Sequence, residues 1–215
     1  MLRGYTVQPV QYNKRDGYHQ QVSSSRERIL DSFETALIRD GERAATMDAV
    51  AAAADVSKGG LLYHFPSKEA LVDGLAERLR VLAEKDRVGM TASPDGAARY
   101  YVRTSVFEGS ALDRALVSMA RLAQQGHPTA KASLAEIQDR WLDALEHQLG
   151  DRTAARAVKL LGDGLYYDAA FFASAESARS TPGDIDELLA VVDLIVASRI
   201  PAMPPGNAPT EGTTT

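Results

Sequence analysis

Residues 46–69 read TMDAVAAAADVSKGGLLYHFPSKE, and this stretch decides the fold. Met47, Val50, Ala51 and Ala54 recur at i, i+3, i+4 and i+7, which is one apolar stripe on a short helix with Thr46 as its N-cap. The alanine run is slim enough for a second helix to approach closely. After a turn of three or four residues, Ser57 caps another short helix, whose Leu61, Leu62 and Phe65 are expected to point back into a small core. The first turn of that helix, Ser57-Lys58-Gly59-Gly60, has no bulk and one cation. A slim, positive helix N-terminus is shaped to approach a phosphate-lined groove. The segment therefore reads as a helix-turn-helix with its recognition helix over 57–64.

The same residues carry a family resemblance. Val-Ser-Lys-Gly at 56–59 and Tyr-His-Phe-Pro-Ser-Lys-Glu-Ala-Leu at 63–71 resemble the DNA-binding signature of the tetracycline-repressor (TetR) family of transcriptional regulators. Turn, recognition helix and the start of the next helix match in order over about twenty-five residues. The remaining chain is similar in length and helical character. The resemblance places Thr46, Lys58, Tyr63, His64 and Lys68 where the family contacts DNA. Ser57 and Lys68 also sit at helix N-termini, which favour phosphate on physical grounds. Gly60 stands where Thr or Ser is common, and Leu62 where a phosphate-contacting Tyr is usual. Gly59 and Gly60 cost helix propensity, roughly 1 kcal/mol each, a cost that makes sense where backbone must come close to DNA. Base reading then falls to Lys58 on guanine and Leu61 on a thymine methyl. The plainer readings are a solvated lysine at 58 and a capping or packing histidine at 64.

Outward from this stretch, Ser23-Ser24-Ser25 offers caps for a helix to about Arg39 with Ile29, Phe33, Ala36 and Leu37 on its inner face, and Gly41 stops it. Pro66 and Ser67 open a long helix carrying Leu71, Leu75, Leu79 and Leu82 to about Val88. It begins in the DNA-binding unit and ends beside the C-terminal region, so it is the natural mechanical link. Further helices are expected over 95–107, about 112–123, 129–149, 151–175 and 182–199, with no convincing β pattern. The fold class is all-α. The expected limits are a disordered tail at 1–22, a helix-turn-helix domain at 23–66, a helical ligand-binding and dimerisation domain at 67–200, and a second disordered tail at 201–215. The first tail has a small basic bias and could instead reach along a groove.

Composition excludes several classes. The 215 residues include no cysteine, so there is no disulfide framework and no thiolate metal site. No stretch approaches the ~20 apolar residues of a membrane span, and the N-terminus lacks an apolar signal core. A cytoplasmic protein is expected. Net charge is −5, but residues 1–69 hold nine Lys/Arg and nine Asp/Glu, so the whole deficit lies beyond them. A neutral head predicts modest DNA affinity per copy and reliance on dimerisation. The last helix is apolar nearly all round over 188–197, and such a helix must be covered on more than one side. By family analogy the last two helices of two copies form a four-helix dimer face, and the operator is a near palindrome.

Ligand candidates lie on the C-terminal helices: Tyr100, Arg103, Phe107, Met119, Trp141, Tyr166, Tyr167 and Phe171. Gly162-Asp163-Gly164 is a slim stretch before the Tyr166-Tyr167 pair, and space beside hydroxylated rings is the recipe for an apolar pocket with polar handles. Arg103 among aromatics asks for an anionic partner, either Asp168, Glu108 or a ligand carboxylate. Ordinary core packing explains any one of these residues as well. Asp143, His147 and Asp151 read as a solvated face rather than a metal site, no cofactor is implied, and no nucleophile or phosphate-loop motif appears. His127 reads as a loop residue. The function implied is a DNA-binding regulator, in most relatives a repressor, released by a small-molecule effector. The competing classes are a DNA-binding dimer without small-molecule control, and a helical ligand-binding protein or enzyme.

Overall fold

The computed structural model describes residues 24–171 and 182–198, with side chains at 24–170 and 185–198. The tails expected at 1–22 and 201–215 lie outside the described residues, as does the side chain of Phe171. Within them run nine helices and no strand: α1 Ser25–Asp40, α2 Met47–Ala53, α3 Lys58–His64, α4 Lys68–Thr91, α5 Gly96–Thr104, α6 Ala111–Gln124, α7 Pro128–Leu149, α8 Arg152–Phe171 and α9 Pro182–Ala197.

The first four helices start where their caps dictate. Ser24, Thr46, Ser57 and Ser67 each accept the amide of the third residue on, those of Glu27, Ala49, Gly60 and Ala70. Each such cap satisfies one otherwise orphaned donor. Between α2 and α3, Asp55 takes a left-handed φ of 52°, a conformation that a short polar side chain tolerates. Ile29, Leu30, Phe33 and Leu37 of α1 meet Val50, Ala51, Leu61 and Phe65 in one buried cluster. Phe65 then plugs into α4 at Gly74, where a Cβ would stand 2.6 Å from the ring. A mid-helix glycine normally weakens a helix. Here it lets the head dock closely on α4.

Leu62 departs from expectation. It is 41 % exposed, whereas Leu61 beside it is wholly buried. On a seven-residue helix one leucine of an adjacent pair must face outward, because successive positions lie about 100° apart.

In the body, α4 packs on α7 and α6, α5 on α8 and α9, and α7 on α6 and α8. Leu71, Leu75 and Leu79 are buried as the leucine stripe predicts, and α4 extends to Thr91. The helix expected over 95–107 ends at Thr104, and its buried face is Ala97, Ala98, Tyr101 and Val102. Tyr100, Arg103, Thr104 and Phe107 therefore do not form the inner face. In α8, Gly162 accommodates the ring of Tyr101, to which a Cβ would come within 2.7 Å. The slim stretch read from the sequence is thus partly filled by a tyrosine. On α9, Leu189 and Val192 are buried while Val191 and Leu194 are exposed.

Candidate nucleic-acid interface and ligand cavity

At the head, Lys58 Nζ lies 2.9 Å from Asp48 Oδ1, which ties the first turns of α2 and α3 together. The capped starts at Thr46 and Ser57 therefore share one end of the motif. Both charged side chains are well exposed, so the pair contributes well under 1 kcal/mol. Gly59 is met by almost nothing in this chain, and Gly60 sits closer to its cap. A Cβ on Gly59 would find only Ser57 Oγ at 3.9 Å, and one on Gly60 the same atom at 3.3 Å. Tyr63 is 85 % exposed and stands edge-on to His64, with ring centroids 5.1 Å apart.

Two expectations for this face change. Leu61, assigned to a thymine methyl, is fully buried and unable to touch a base, and Leu62 holds the outward position. The Lys68 ammonium turns inward, 2.9 Å from the Glu42 carbonyl oxygen and 3.2 Å from its carboxylate. Glu42 also meets His127 Nε2 at 3.0 Å. His127, read as a loop residue, thus joins the α6–α7 turn to the α1–α2 turn. The His127 hydrogen bond, helped by Lys68, holds the Glu42 carboxyl below the usual carboxylate range.

A second junction joins head and body along α1. Arg78 of α4 places its guanidinium 2.6 Å from Glu27, 2.7 Å from Asp31 and 3.2 Å from Glu34. Arg114 of α6 approaches the far Glu34 oxygen at 3.7 Å. Glu34 is almost wholly buried, and its contacts are ionic without a well-aligned hydrogen bond. Burial pushes its carboxyl up and Arg78 pulls it back.

The body holds a partly open cavity of about 200 Å³ between α4, α5, α6, α7 and α8. Tyr101, Leu112, Leu116, Trp141 and Tyr166 supply its walls, and Asp86, Asp113 and Asp163 its charges. Tyr101 donates to Asp163 at 2.6 Å, and Lys159 neutralises the other Asp163 oxygen at 2.5 Å. Asp113 accepts the amides of Ser110 at 2.8 Å and Glu108 at 3.2 Å in a capping box that starts α6. Asp86 accepts the Tyr100 hydroxyl at 3.2 Å. Burial raises its carboxyl, and Tyr100 and Trp141 act against that. The buried Trp141 N–H and Tyr166 hydroxyl have no hydrogen bond of good geometry, although they are close enough to act electrostatically with Asp86 and Asp113. Burial first, then Asp113, holds the Tyr166 phenol protonated.

Of the ligand residues expected from sequence, Trp141, Tyr166 and Tyr167 line this cavity. Tyr100 stands behind Asp86, and Phe107 contacts Tyr166 edge-on at 6.3 Å. Met119 is core, wholly buried and away from the cavity wall. Arg103 is outside altogether. It is half exposed and pairs with Asp95 at 2.6 Å, so the anionic partner it needs is neither Asp168, Glu108 nor a ligand. Asp86, Tyr101, Asp113, Gln138 and Asp163 were missed. The i, i+4 pairs Ala97–Tyr101 and Ala98–Val102 carry the signal for Tyr101. Nothing local marks Asp86, which sits on a helix read for its leucines.

A helix-turn-helix head on a helical body with an internal cavity defines the class. The chain matches the family model described as bacterial regulatory proteins, tetR family, over residues 29–75. It also matches the tetracyclin repressor-like C-terminal domain over 95–193. It belongs to the TetR family of bacterial transcriptional regulators. No curated protein matches the sequence. Among solved structures it is similar to Salmonella enterica GusR, with TM-score 0.61 and 21 % identity over 80 % of this chain and 95 % of that one. A transcriptional regulator from Rhodococcus sp. Rha1 gives 0.55 and 22 %, covering 82 % and 96 %. The multidrug binding protein EbrR complexed with malachite green gives 0.60 and 22 %, covering 80 % and 98 %. At these identities the likeness is one of fold. Among the described residues no helix is long and apolar enough to cross a membrane, and no group of side chains could hold a metal ion.

Proposed function

We propose that this chain is a repressor that binds a near-palindromic operator as a homodimer and is released by a small molecule. The observation that carries the DNA half is the front of α3. Its Gly59 is exposed and a Cβ there would meet only one atom of the chain, at 3.9 Å, so the cost of that glycine finds no return inside the fold. Contact with a close backbone partner supplies one. Thr46, Ser57, Lys58, Gly59, Gly60, Tyr63 and His64 face that partner, with Leu62 in place of Leu61. Lys68 contributes through its backbone amide at the start of α4, its side chain being engaged by Glu42. Phosphate displaces Asp48 from Lys58 readily, since the exposed pair is weak.

The dimer reading rests on a bare apolar stripe. Leu160, Gly164 and Tyr167 follow one another at i, i+4 and i+7 on α8, all exposed, and Val191 and Leu194 lie bare on α9. A second copy covers such a surface. The head then spans 23–66 and the body 67–200, and the site of action is the cytoplasm, where the operator is.

Control by a small molecule is supported by the partly open cavity and by the likeness to EbrR, a multidrug binding protein complexed with malachite green. Asp113 lines the cavity while its neighbour Arg114 reaches Glu34 of α1, so a ligand that moves the start of α6 acts on the head. It shifts the equilibrium only as far as it prefers the form that releases DNA. Selection of bound DNA from a random pool tests binding, palindromy and half-site spacing together. Lys58→Ala should then lower operator affinity and flatten its salt dependence; unchanged values would remove Lys58 from the interface.

A further inference from the structure

We propose that the cavity takes a small organic cation, a protonated amine on an aromatic or alkyl body, with Asp86 as its counter-ion. The inference deepens the ligand-controlled reading above and names its ligand class. Three carboxylates line the space and no cation does. Asp163 is matched by Lys159, which also donates to Gln138, and Asp113 by two backbone amides. Asp86 faces the cavity with the Tyr100 hydroxyl on it and the Trp141 N–H nearby but, among the described residues, no ion pair. A half-buried carboxylate without a counter-charge costs free energy. An ammonium beside it recovers much of that cost, whereas an anionic ligand adds to it. Arg103, the side chain that sequence offered for an anionic ligand, is outside the cavity and already paired.

The walls point the same way. Trp141 is 6 % exposed, lines the cavity, and has an unpartnered N–H. Its ring is the best aromatic face for a cation, and Tyr101 meets it edge-on at 6.0 Å between centroids. The buried Tyr166 oxygen, whose hydroxyl lies near Asp113, can accept a second ammonium N–H. With one ligand N–H on Asp86 and another on Tyr166, the indole N–H closes on the remaining Asp86 lone pairs. The cavity, about 200 Å³, falls below the ~300–1,000 Å³ of drug-sized sites, so the ligand is small.

Trp141 is the only tryptophan of the chain, so its fluorescence reports on the site without labelling. The test titrates the full chain with 4-phenylbutylammonium, 4-phenylbutanol and 4-phenylbutyrate, which share one skeleton and differ in head-group charge. The expected result is quenching or a spectral shift by the cation with at least tenfold tighter binding than either companion, a margin that Asp86→Asn reduces and Asp86→Glu largely restores. Equal or tighter binding of the alcohol or the carboxylate overturns the proposal. So does a Trp141 signal that none of the three moves. If Asp86→Asn does not fold, the wild-type comparison decides alone. Operator binding by the same preparation without ligand is measured alongside. Its failure strikes the regulator reading and leaves the cavity result standing, while the reverse outcome removes only the cation.

Discussion

Gly59→Ala separates what the recognition helix needs for folding from what it needs for binding. Gly59 is the second residue of α3, in helical backbone, with open space where a methyl would go. Glycine costs ~1 kcal/mol against alanine in a helix interior, and that figure is an upper bound near a helix start. The substitution should therefore stabilise the chain by up to about 1 kcal/mol, raising Tm by roughly 2–4 °C for a protein of this size. Gly60→Ala should gain less, because its methyl would press on Ser57 Oγ at 3.3 Å, the atom that caps the helix. For DNA the sign reverses. A methyl on the exposed front of α3 holds the backbone off its partner, and operator affinity should fall at least tenfold, about 1.4 kcal/mol. Thermal melts and fluorescence anisotropy on a labelled operator measure the two effects on one preparation. A variant that is more stable and binds as tightly as the parent would refute close approach as the reason for the glycines.

Gly74→Ala should destabilise by about 1–3 kcal/mol in urea, since the methyl would stand 2.6 Å from a buried Phe65 ring. Arg78→Met should cost about 3–5 kcal/mol by leaving Glu34 buried without its main partner. Glu34→Gln should cost little at neutral pH, because Arg78 keeps Glu27 and Asp31. The Glu34 carboxyl is raised in the fold, so its presence weakens stability as pH climbs from about 4.5, and the wild type should gain on Glu34→Gln in acid. Glu42 carries the opposite sign: its depressed carboxyl stabilises the fold above about 4.5, an increment lost as pH drops through its folded value. Glu42→Gln should therefore flatten the acid limb of denaturation midpoints measured against pH. Leu160→Glu with Leu194→Glu should yield a monomer by sedimentation; a dimer that persists would place the contact elsewhere.

The head was legible because its determinants are local. Four caps, a period of 3.6 and a glycine-fronted turn all lie within a few residues of the elements they define. One departure there is a shift by one position, Leu61 for Leu62, where adjacent leucines offer no pattern to choose between them. The body was legible as helices and poorly as a site. Tyr100 is a ligand candidate by sequence, yet α5 ends at Thr104 and buries Tyr101 instead. Lys68 is expected on DNA and Arg103 on Asp168, Glu108 or a ligand, whereas the fold gives them Glu42 and Asp95. The Glu42–His127 bond spans 85 positions, a closeness that only tertiary packing creates.

Tyr167 lines the cavity and also stands among the exposed apolar residues of α8. One side chain cannot answer to two occupants independently. Whatever a guest in the cavity does to the association constant of two copies, association must do in equal measure to the guest's affinity. In the proposed dimer, dilution is then a regulatory variable in its own right, and a few copies in a cell would sense a different effector threshold from many.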